Sequence, residues 1–359
     1  MKELREIVAA IRKRSGPAAL ATVVDVQGSS YRLPGSKMLV FSDGSFVGTV
    51  SGGCIEADVL ERASRVIISG SPELFFYDTT KDDSSVFSLN MGCKGIVRIL
   101  LERVDKSSDY LNAFAGSIEL GTSGFVVTKL DDGHDQTTIE RSFLGPDGSV
   151  DQGTVPREVS ELIREMSSAG GARRPAEIVE AEGAEYFVES SEPPLHLVIF
   201  GAGADAIPLA DIAVRIGWRV SVYDHRPVYA DENRFPSVAD VIVGRPDKAL
   251  GKIGVGPKSA AVVMSHNFEN DKAYAKALLE SDVAYIGMLG PKVRTAELLS
   301  SIADATGSGL ERIHAPVGLD TGAAEPETIA VSIIAEIQSV FAGRSGGFLR
   351  EREGSIYDR

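Results

Sequence analysis

A cysteine preceded by two glycines is the first feature of this chain whose residue types could do chemistry. The segment SGGCIEADVLERA, residues 51–63, places Ser51, Gly52, Gly53 and Cys54 directly before a stretch with helical periodicity. Successive amides in a glycine turn, together with the positive end of the helix, favour a phosphate, a carboxylate or an oxyanion. The same field favours the thiolate form of a cysteine. The segment therefore predicts an anion site with a reactive thiol, and burial of Cys54 as a small apolar residue is the alternative.

Two further segments carry side chains that suit the same site. SLNMGCKGIVRILLE contains Cys93 between an irregular loop and a strand, with Lys94 beside it. Cys54 and Cys93 form a thiol pair if the sheet brings their loops together, and each has a structural role otherwise. The hairpin GSSYRLPGSKMLV contains Arg32 and Lys37, which are either anion contacts beside the glycine turn or ordinary exposed charges.

A second glycine turn lies in LVIFGAGADAIPLADIA, after an apolar strand and at the start of a helix. Gly201 permits the tight turn, and Gly203 lets the backbone approach a pyrophosphate. Asp224 ends the next strand, where its carboxylate accepts from ribose hydroxyls and disfavours a 2'-phosphate. His266 follows a later strand, either as a ligand contact or as a loop residue. These residues predict an NAD(P)-type dinucleotide site, and glycines that serve only a tight turn are the alternative.

The order of apolar segments predicts two domains with different folds. Residues 1–190 have closely spaced strands and one long helix, typical of an α+β domain. DGSFVGTV and DGSVDQGTV suggest an internal duplication, with copies at about 1–105 and 117–190. After a Pro-rich boundary, residues 195–340 alternate short strands with helices, which predicts a Rossmann-like, doubly wound parallel sheet. Residues 341–359 are expected to form a flexible tail.

Composition limits the class of ligand and the location. The net charge of -14 argues against a protein whose main role is to bind nucleic acid or an anionic membrane. Two cysteines are too few for a disulfide framework, and no metal site is expected. The charged first helix lacks the apolar core of a secretory signal, so we expect a cytoplasmic protein with no integral membrane segment.

The motifs taken together resemble one family. GSSYRLPGSKM, SGGCIE, GCKG, IFGAG, MSHNFEND, YIGMLGPKVR and PVGLDTGAAEPETIAVSI occur in the order seen in the XdhC/CoxI family of xanthine dehydrogenase accessory factors. The resemblance implies a protein that binds molybdenum cofactor, supports exchange of an oxo ligand for sulfur, and delivers the cofactor to a molybdenum hydroxylase such as xanthine dehydrogenase. It also implies a cysteine desulfurase as sulfur donor. By the same resemblance, Gly52, Gly53, Cys54 and Cys93 handle the cofactor.

Two other functions remain open at this stage. One is an NAD(P)-dependent oxidoreductase with Cys54 and Cys93 as catalytic or redox thiols. The other is a scaffold that uses the Rossmann fold only structurally. The resemblance favours a cofactor-binding maturation factor over a stand-alone enzyme, and homodimer formation stays open.

Overall fold

A computed structural model describes residues 2–28, 30–78, 95–132, 137–168, 176–306 and 309–353. These residues form two compact units that meet at the boundary between Pro193 and Pro194. The helices of the described part are α1 (Lys2–Lys13), α2 (Glu56–Ser69), α3 (Asp109–Leu120), α4 (Arg157–Ser168), α5 (Ala206–Arg215), α6 (Phe268–Leu279), α7 (Lys292–Thr306) and α8 (Pro326–Phe341).

The N-terminal unit contains ten strands in two antiparallel sheets, among the residues that the structure describes. The first sheet has the order β3-β2-β1-β5-β4, and the second has the order β8-β7-β6-β10-β9. The strands are β1 (Ala18–Gly28), β2 (Lys37–Phe41), β3 (Phe46–Gly48), β4 (Glu73–Asp78), β5 (Gly95–Val104), β6 (Gly124–Asp132), β7 (Thr137–Leu144), β8 (Val150–Gln152), β9 (Ala176–Ala181) and β10 (Ala184–Ser191).

Strand alternation divides the side chains of each sheet between two cores. On β1, Ala19, Ala21 and Val23 face α2, whereas Ala18 and Leu20 face α1 and α3 on the other side. The second sheet packs its outer face on α4 through Val127 and Val188 and other apolar residues. Its inner face contributes Val126 to the core with α1 and α3, and Phe187 to a smaller core with the first sheet. The two sheets therefore pack face to face, as period-two burial requires.

The two sheets repeat one order of elements, helix then three strands then helix then two strands. The repeated DGS segments form the same turn: Asp43 accepts from the amide of Ser45 as Asp147 does from Ser149. The loop before the second helix of each half differs, since it spans 49–55 in the first half and only 153–156 in the second. The longer loop contains the two glycines and Cys54. Descent of both halves from one ancestral unit stays a proposal.

Reciprocal ion pairs join the two sheets at positions that match in strand register. Lys37 on β2 lies opposite Thr22, and Arg141 on β7 lies opposite Thr128 in the same place of the second sheet. Lys37 pairs with Glu189 on β10, while Arg141 Nη2 lies 2.5 Å from Oε1 of Glu102 on β5. Each sheet thus supplies one cation and one carboxylate to the same interface.

The C-terminal unit is the predicted Rossmann-like fold. Its six parallel strands have the order β13-β12-β11-β14-β15-β16, which reads 3-2-1-4-5-6 along the chain. Helices α5 and α8 cover one face of the sheet, and α6 and α7 cover the other. The strands are β11 (His196–Phe200), β12 (Arg219–Asp224), β13 (Asp240–Val243), β14 (Ser259–Val263), β15 (Tyr285–Met288) and β16 (Ile313–His314).

Candidate functional site

The loop between β3 and α2 wraps around the side chain of Ser51. Its hydroxyl oxygen accepts from the amide of Gly53 at 3.0 Å and from that of Cys54 at 3.2 Å. Gly53 has a φ of 109°, a conformation that glycine adopts without the steric penalty of a Cβ. The amides predicted to bind an anion therefore already have an acceptor, and their contact with a phosphate stays a prediction.

Glu56, the first residue of α2, holds the other side of this loop. Its carboxylate accepts from the Ser51 amide at 2.9 Å, and also from the hydroxyls of Ser51 and Thr49. Burial raises the pKa of the Glu56 carboxyl, the hydrogen bonds from Ser51 and Thr49 lower it, and the net result lies below its ordinary value. A carboxylate in the first turn also complements the helix dipole.

Cys54 is exposed, with its sulfur 3.6 Å from the Ser51 hydroxyl oxygen. The alternative of a buried structural cysteine is therefore wrong for Cys54, because the side chain stays accessible to solvent. Cys93 and Lys94 lie outside the described residues. A pairing of the two thiols stays a prediction.

Arg32 and Tyr31 lie beside the same loop. Arg32 Nη2 is 3.2 Å from Oε1 of Glu3, and this oxygen also accepts from the Thr49 amide at 2.9 Å. The Tyr31 side chain is 66% exposed, and a Cβ at Gly52 would lie 3.5 Å from its Cγ. The structure therefore places the exposed Tyr31 ring next to Gly52, and it links Arg32 to Thr49 at the start of the loop through the Glu3 carboxylate.

Lys37 does not belong to this site. Its side chain is 5% exposed and forms the buried ion pair with Glu189. Both expectations for Lys37, an anion contact and an exposed hairpin charge, are wrong. An isolated buried ammonium is unfavourable, and the second sheet supplies the carboxylate that compensates for it.

The glycine turn of the C-terminal unit is held from both sides. A Cβ at Gly201 would lie 2.5 Å from the backbone oxygen of Met264, so the segment that follows β14 passes too close for any other residue. The Ala202 amide donates to Asp224 at 2.8 Å, and Arg234 donates to the Ala202 carbonyl at 2.7 Å. A Cβ at Gly203 would meet only the His266 ring, at 3.9 Å. Gly203 therefore leaves space for a ligand, whereas Gly201 is required by the fold.

Asp224 lies at the carboxyl end of β12 with its side chain fully buried. Arg226 donates to it from the backbone amide at 2.9 Å, from Nε at 3.0 Å and from Nη2 at 2.8 Å. Burial raises the pKa of Asp224, the hydrogen bonds from Arg226 and Ala202 lower it, and the net shift is downward. The ribose contact expected of Asp224 stays a prediction.

His266 follows β14, with a positive φ of 56° and half of its side chain exposed. Its Nε2 is 3.4 Å from an oxygen of Asp205, the residue before α5. The structure therefore brings Gly201, Gly203, Asp224 and His266 to one edge of the sheet, as the strand order requires.

The sequence analysis did not identify Arg226 and Arg234 as part of this site. The signal for Arg226 was an arginine two residues after Asp224, the last residue of its strand.

Two kinds of feature are absent from the described residues. They contain no group of three or more His, Cys, Asp or Glu side chains that could hold a metal ion. Among their helices, none combines the length and apolar character needed to cross a bilayer.

Comparison with known proteins identifies the family. Residues 11–78 match the model of the XdhC and CoxI family, and residues 197–337 match that of the XdhC Rossmann domain. Over 323 residues the chain is 32% identical to a probable xanthine dehydrogenase subunit of Bacillus subtilis (strain 168), covering 89% of this chain and 92% of that protein. This chain belongs to the XdhC and CoxI family.

Two other relatives agree with membership of the XdhC and CoxI family. A crystal structure of a xanthine dehydrogenase from Bacillus halodurans superposes with a TM-score of 0.80 at 31% identity, covering 96% of this chain and 97% of that one. The molybdenum cofactor insertion chaperone PaoD of Escherichia coli (strain K12) is 23% identical over 340 residues, covering 94% of this chain and 87% of PaoD. The family resemblance read from the motifs and the α/β fold class are both confirmed.

Proposed function

We propose that this protein is a maturation factor, which binds molybdenum cofactor as its cargo and delivers it to a molybdenum hydroxylase of the xanthine dehydrogenase type. The names of the relatives from Bacillus subtilis and Escherichia coli support this role. The observation that carries it is the exposed thiol of Cys54, on a glycine loop at the start of α2. A thiolate is the form of cysteine that binds metals, and an exposed position lets it reach one.

The surroundings of Cys54 match the parts of a phosphorylated pterin. The exposed ring of Tyr31 offers a flat surface beside Gly52 for stacking. Arg32 can bind a phosphate, and the amides of Gly53 and Cys54 can do so once the Ser51 hydroxyl turns away from them. In the proposed complex, Tyr31 binds the pterin ring, Arg32 and the amides bind the phosphate, and Cys54 faces the metal.

We also propose that this protein supports sulfuration of the molybdenum cofactor. The protein would hold the cofactor while a sulfur donor, a cysteine desulfurase, supplies the sulfur that replaces an oxo ligand. Cys54 would then be a transient metal ligand or a sulfur relay, with Cys93 as the second thiol. We also propose that the C-terminal unit binds a nucleotide of the NAD(P) type at the turn from Gly201 to Gly203.

Co-expression with a partner hydroxylase tests the main proposal. The wild-type protein should bind molybdopterin in equimolar amount and raise the activity of the hydroxylase. Cys54→Ala should lower this activity severalfold without changing the expression level of either protein. Glu61→Gln, on the same helix but exposed, is the matched control and should behave like wild type. Full hydroxylase activity in cells that lack this protein would refute the proposal.

A further inference from the structure

The carboxylate of Asp224 has no free acceptor position for a ribose. One oxygen accepts from the Ala202 amide and Arg226 Nη2, and the other accepts from the amide and Nε of Arg226. A carboxylate offers about four lone-pair positions, and all of them are filled here. With the side chain fully buried, a ribose diol could reach Asp224 only by displacing Arg226. The group that meets a nucleotide at this place is therefore a guanidinium.

Two arginines flank one aromatic ring next to the glycine turn. The Arg226 guanidinium carbon lies 3.9 Å from the centre of the Tyr229 ring, and that of Arg234 lies 5.3 Å from it. Arg226 uses Nε and Nη2 for Asp224, which leaves Nη1 without a partner in the described part of the chain. Arg226 is one-third exposed and can reach a ligand in this orientation.

Arg226, Arg234 and Asp224 together carry a net positive charge. Arg234 binds only backbone carbonyls, those of Ala202 and Tyr229 at 2.7 Å each, and no described carboxylate lies within ion-pair distance of it. Asp224 neutralises one of the two arginines, so this group of three side chains keeps one positive charge, while the Asp205 carboxylate lies by His266 at the other side of the turn. A diol gains little from this charge, whereas a phosphate gains a charge-assisted hydrogen bond.

A buried hydroxyl on α6 belongs to the same unit. Tyr274 is 1% exposed, and its hydroxyl has no hydrogen-bond partner among the described residues. Burial raises the pKa of this hydroxyl, and the negative charge of Asp224 raises it further. An unsatisfied buried donor is costly and marks a place where a ligand or water oxygen fits.

We propose that the nucleotide site of the C-terminal unit selects a ribose that carries a 2'-phosphate, as in NADPH, with Arg226 and Arg234 as the phosphate contacts and Tyr229 as their support. The inference rests on the proposed binding of a nucleotide at Gly203. It reverses the preference expected from Asp224 alone, because Arg226 occupies that carboxylate. Arginine is suited to the role, since its planar fork binds a phosphate while it stacks on an aromatic ring.

Calorimetric titration of the full-length protein tests the selectivity. NADPH should bind at least about 10-fold more tightly than NADH, which corresponds to about 1.4 kcal/mol. Adenosine 2',5'-bisphosphate should likewise bind more tightly than adenosine 5'-monophosphate. Raising the salt concentration should reduce both ratios, because screening weakens contacts with a phosphate at the surface.

A double variant assigns the preference to the arginine. Arg226→Gln alone would leave Asp224 buried without its cation, so it is combined with Asp224→Asn. The double variant should lose most of the preference for NADPH, because only Arg234 remains as a phosphate contact. Arg245→Gln, an exposed arginine of the same unit, is the control and should keep the preference.

The outcomes separate the two proposals. If neither dinucleotide binds, the proposed nucleotide site is wrong, and the selectivity falls with it. If NADH binds as tightly as NADPH or more tightly, nucleotide binding stands and the role of Arg226 is overturned. A preference for NADPH that is undiminished in the double variant also overturns that role.

Discussion

The hydroxyl oxygen of Ser51 lies 3.2 Å from the backbone nitrogen of Cys54 and accepts its hydrogen bond. The same hydroxyl donates to Glu56, so the loop that presents the thiol is held by a continuous chain of hydrogen bonds. This arrangement has two consequences. It stabilises the start of α2. It also means that the amides of Gly53 and Cys54 become available to a ligand when the Ser51 side chain rotates.

Ser51→Ala should destabilise the N-terminal unit by about 1 kcal/mol, the usual net contribution of an intramolecular hydrogen bond. The amides of Gly53 and Cys54 would lose their acceptor, and Glu56 would lose a donor. Urea unfolding followed by circular dichroism measures the change. Ser64→Ala is the control on the same helix, because its hydroxyl is exposed and bonds only the Leu60 carbonyl, and it should stay within about 0.5 kcal/mol of wild type. Equal stability of both variants would show that the hydrogen bonds of Ser51 do not stabilise the unit.

The lowered pKa of Glu56 predicts extra sensitivity to acid. A carboxyl whose pKa is lower in the folded than in the unfolded state stabilises the fold above its unfolded value, here 4.5. That stabilisation is lost as the pH falls below 4.5 and through the folded pKa. Thermal unfolding between pH 7 and pH 3 should show a steeper fall for wild type than for Glu56→Gln. Parallel curves for the two proteins would show that Glu56 keeps its ordinary pKa.

Breaking the buried pair between the two sheets should be strongly destabilising. Glu189→Gln leaves the Lys37 ammonium buried without its carboxylate, and we expect a loss of about 3–5 kcal/mol in urea unfolding. The triple variant Lys37→Met, Tyr110→Phe and Glu189→Leu removes the pair together with the Tyr110 hydroxyl that donates to Glu189, and it should recover most of the loss.

An exposed pair provides the comparison for this measurement. Glu161→Gln breaks the ion pair with Arg157 on the surface of α4, and we expect a change of at most about 1 kcal/mol. If Glu189→Gln were no more destabilising than Glu161→Gln, the ion pair between the sheets would contribute nothing to stability.

The two glycines of the Rossmann turn should respond differently to substitution. Gly201→Ala adds a Cβ 2.5 Å from the Met264 carbonyl oxygen at a φ of 116°, so it should unfold the C-terminal unit at lower temperature. At Gly203 a Cβ would meet only the His266 ring, at 3.9 Å, so Gly203→Val should keep the melting temperature while abolishing nucleotide binding. Calorimetric melting and titration of both variants check this. Nucleotide binding by Gly203→Val would show that the ligand does not approach this turn.

Much of the fold was predictable because its signals are local. The strand, glycine turn and helix around Gly201 appear where the pattern predicted them. Apolar alternation and turn glycines act through near neighbours along the chain, and one sequence is enough to read them. The same alternation predicted a doubly wound parallel sheet, since right-handed crossovers leave few topologies.

The partners of charged side chains were not predictable. Lys37 looked like a hairpin charge, yet its carboxylate comes from Glu189, 152 residues away in the chain. Arg226 lies only two residues from Asp224, but its side chain could have pointed to solvent or to the acid. Which of these occurs depends on how strands pack and which carboxylates they bury, and that information is spread over the whole chain.

The sequence by itself determined the family, the α/β class and the position of both glycine turns, because these depend on residue types at short spacing. Only the tertiary structure decided that the Ser51 hydroxyl accepts hydrogen bonds from the amides of the Cys54 loop and that the thiol is exposed. It also decided that the acceptor positions of the Asp224 carboxylate are used by Arg226. Hydrogen bonds are directional and short, so their partners are settled by distances of a few ångström that no residue pattern encodes.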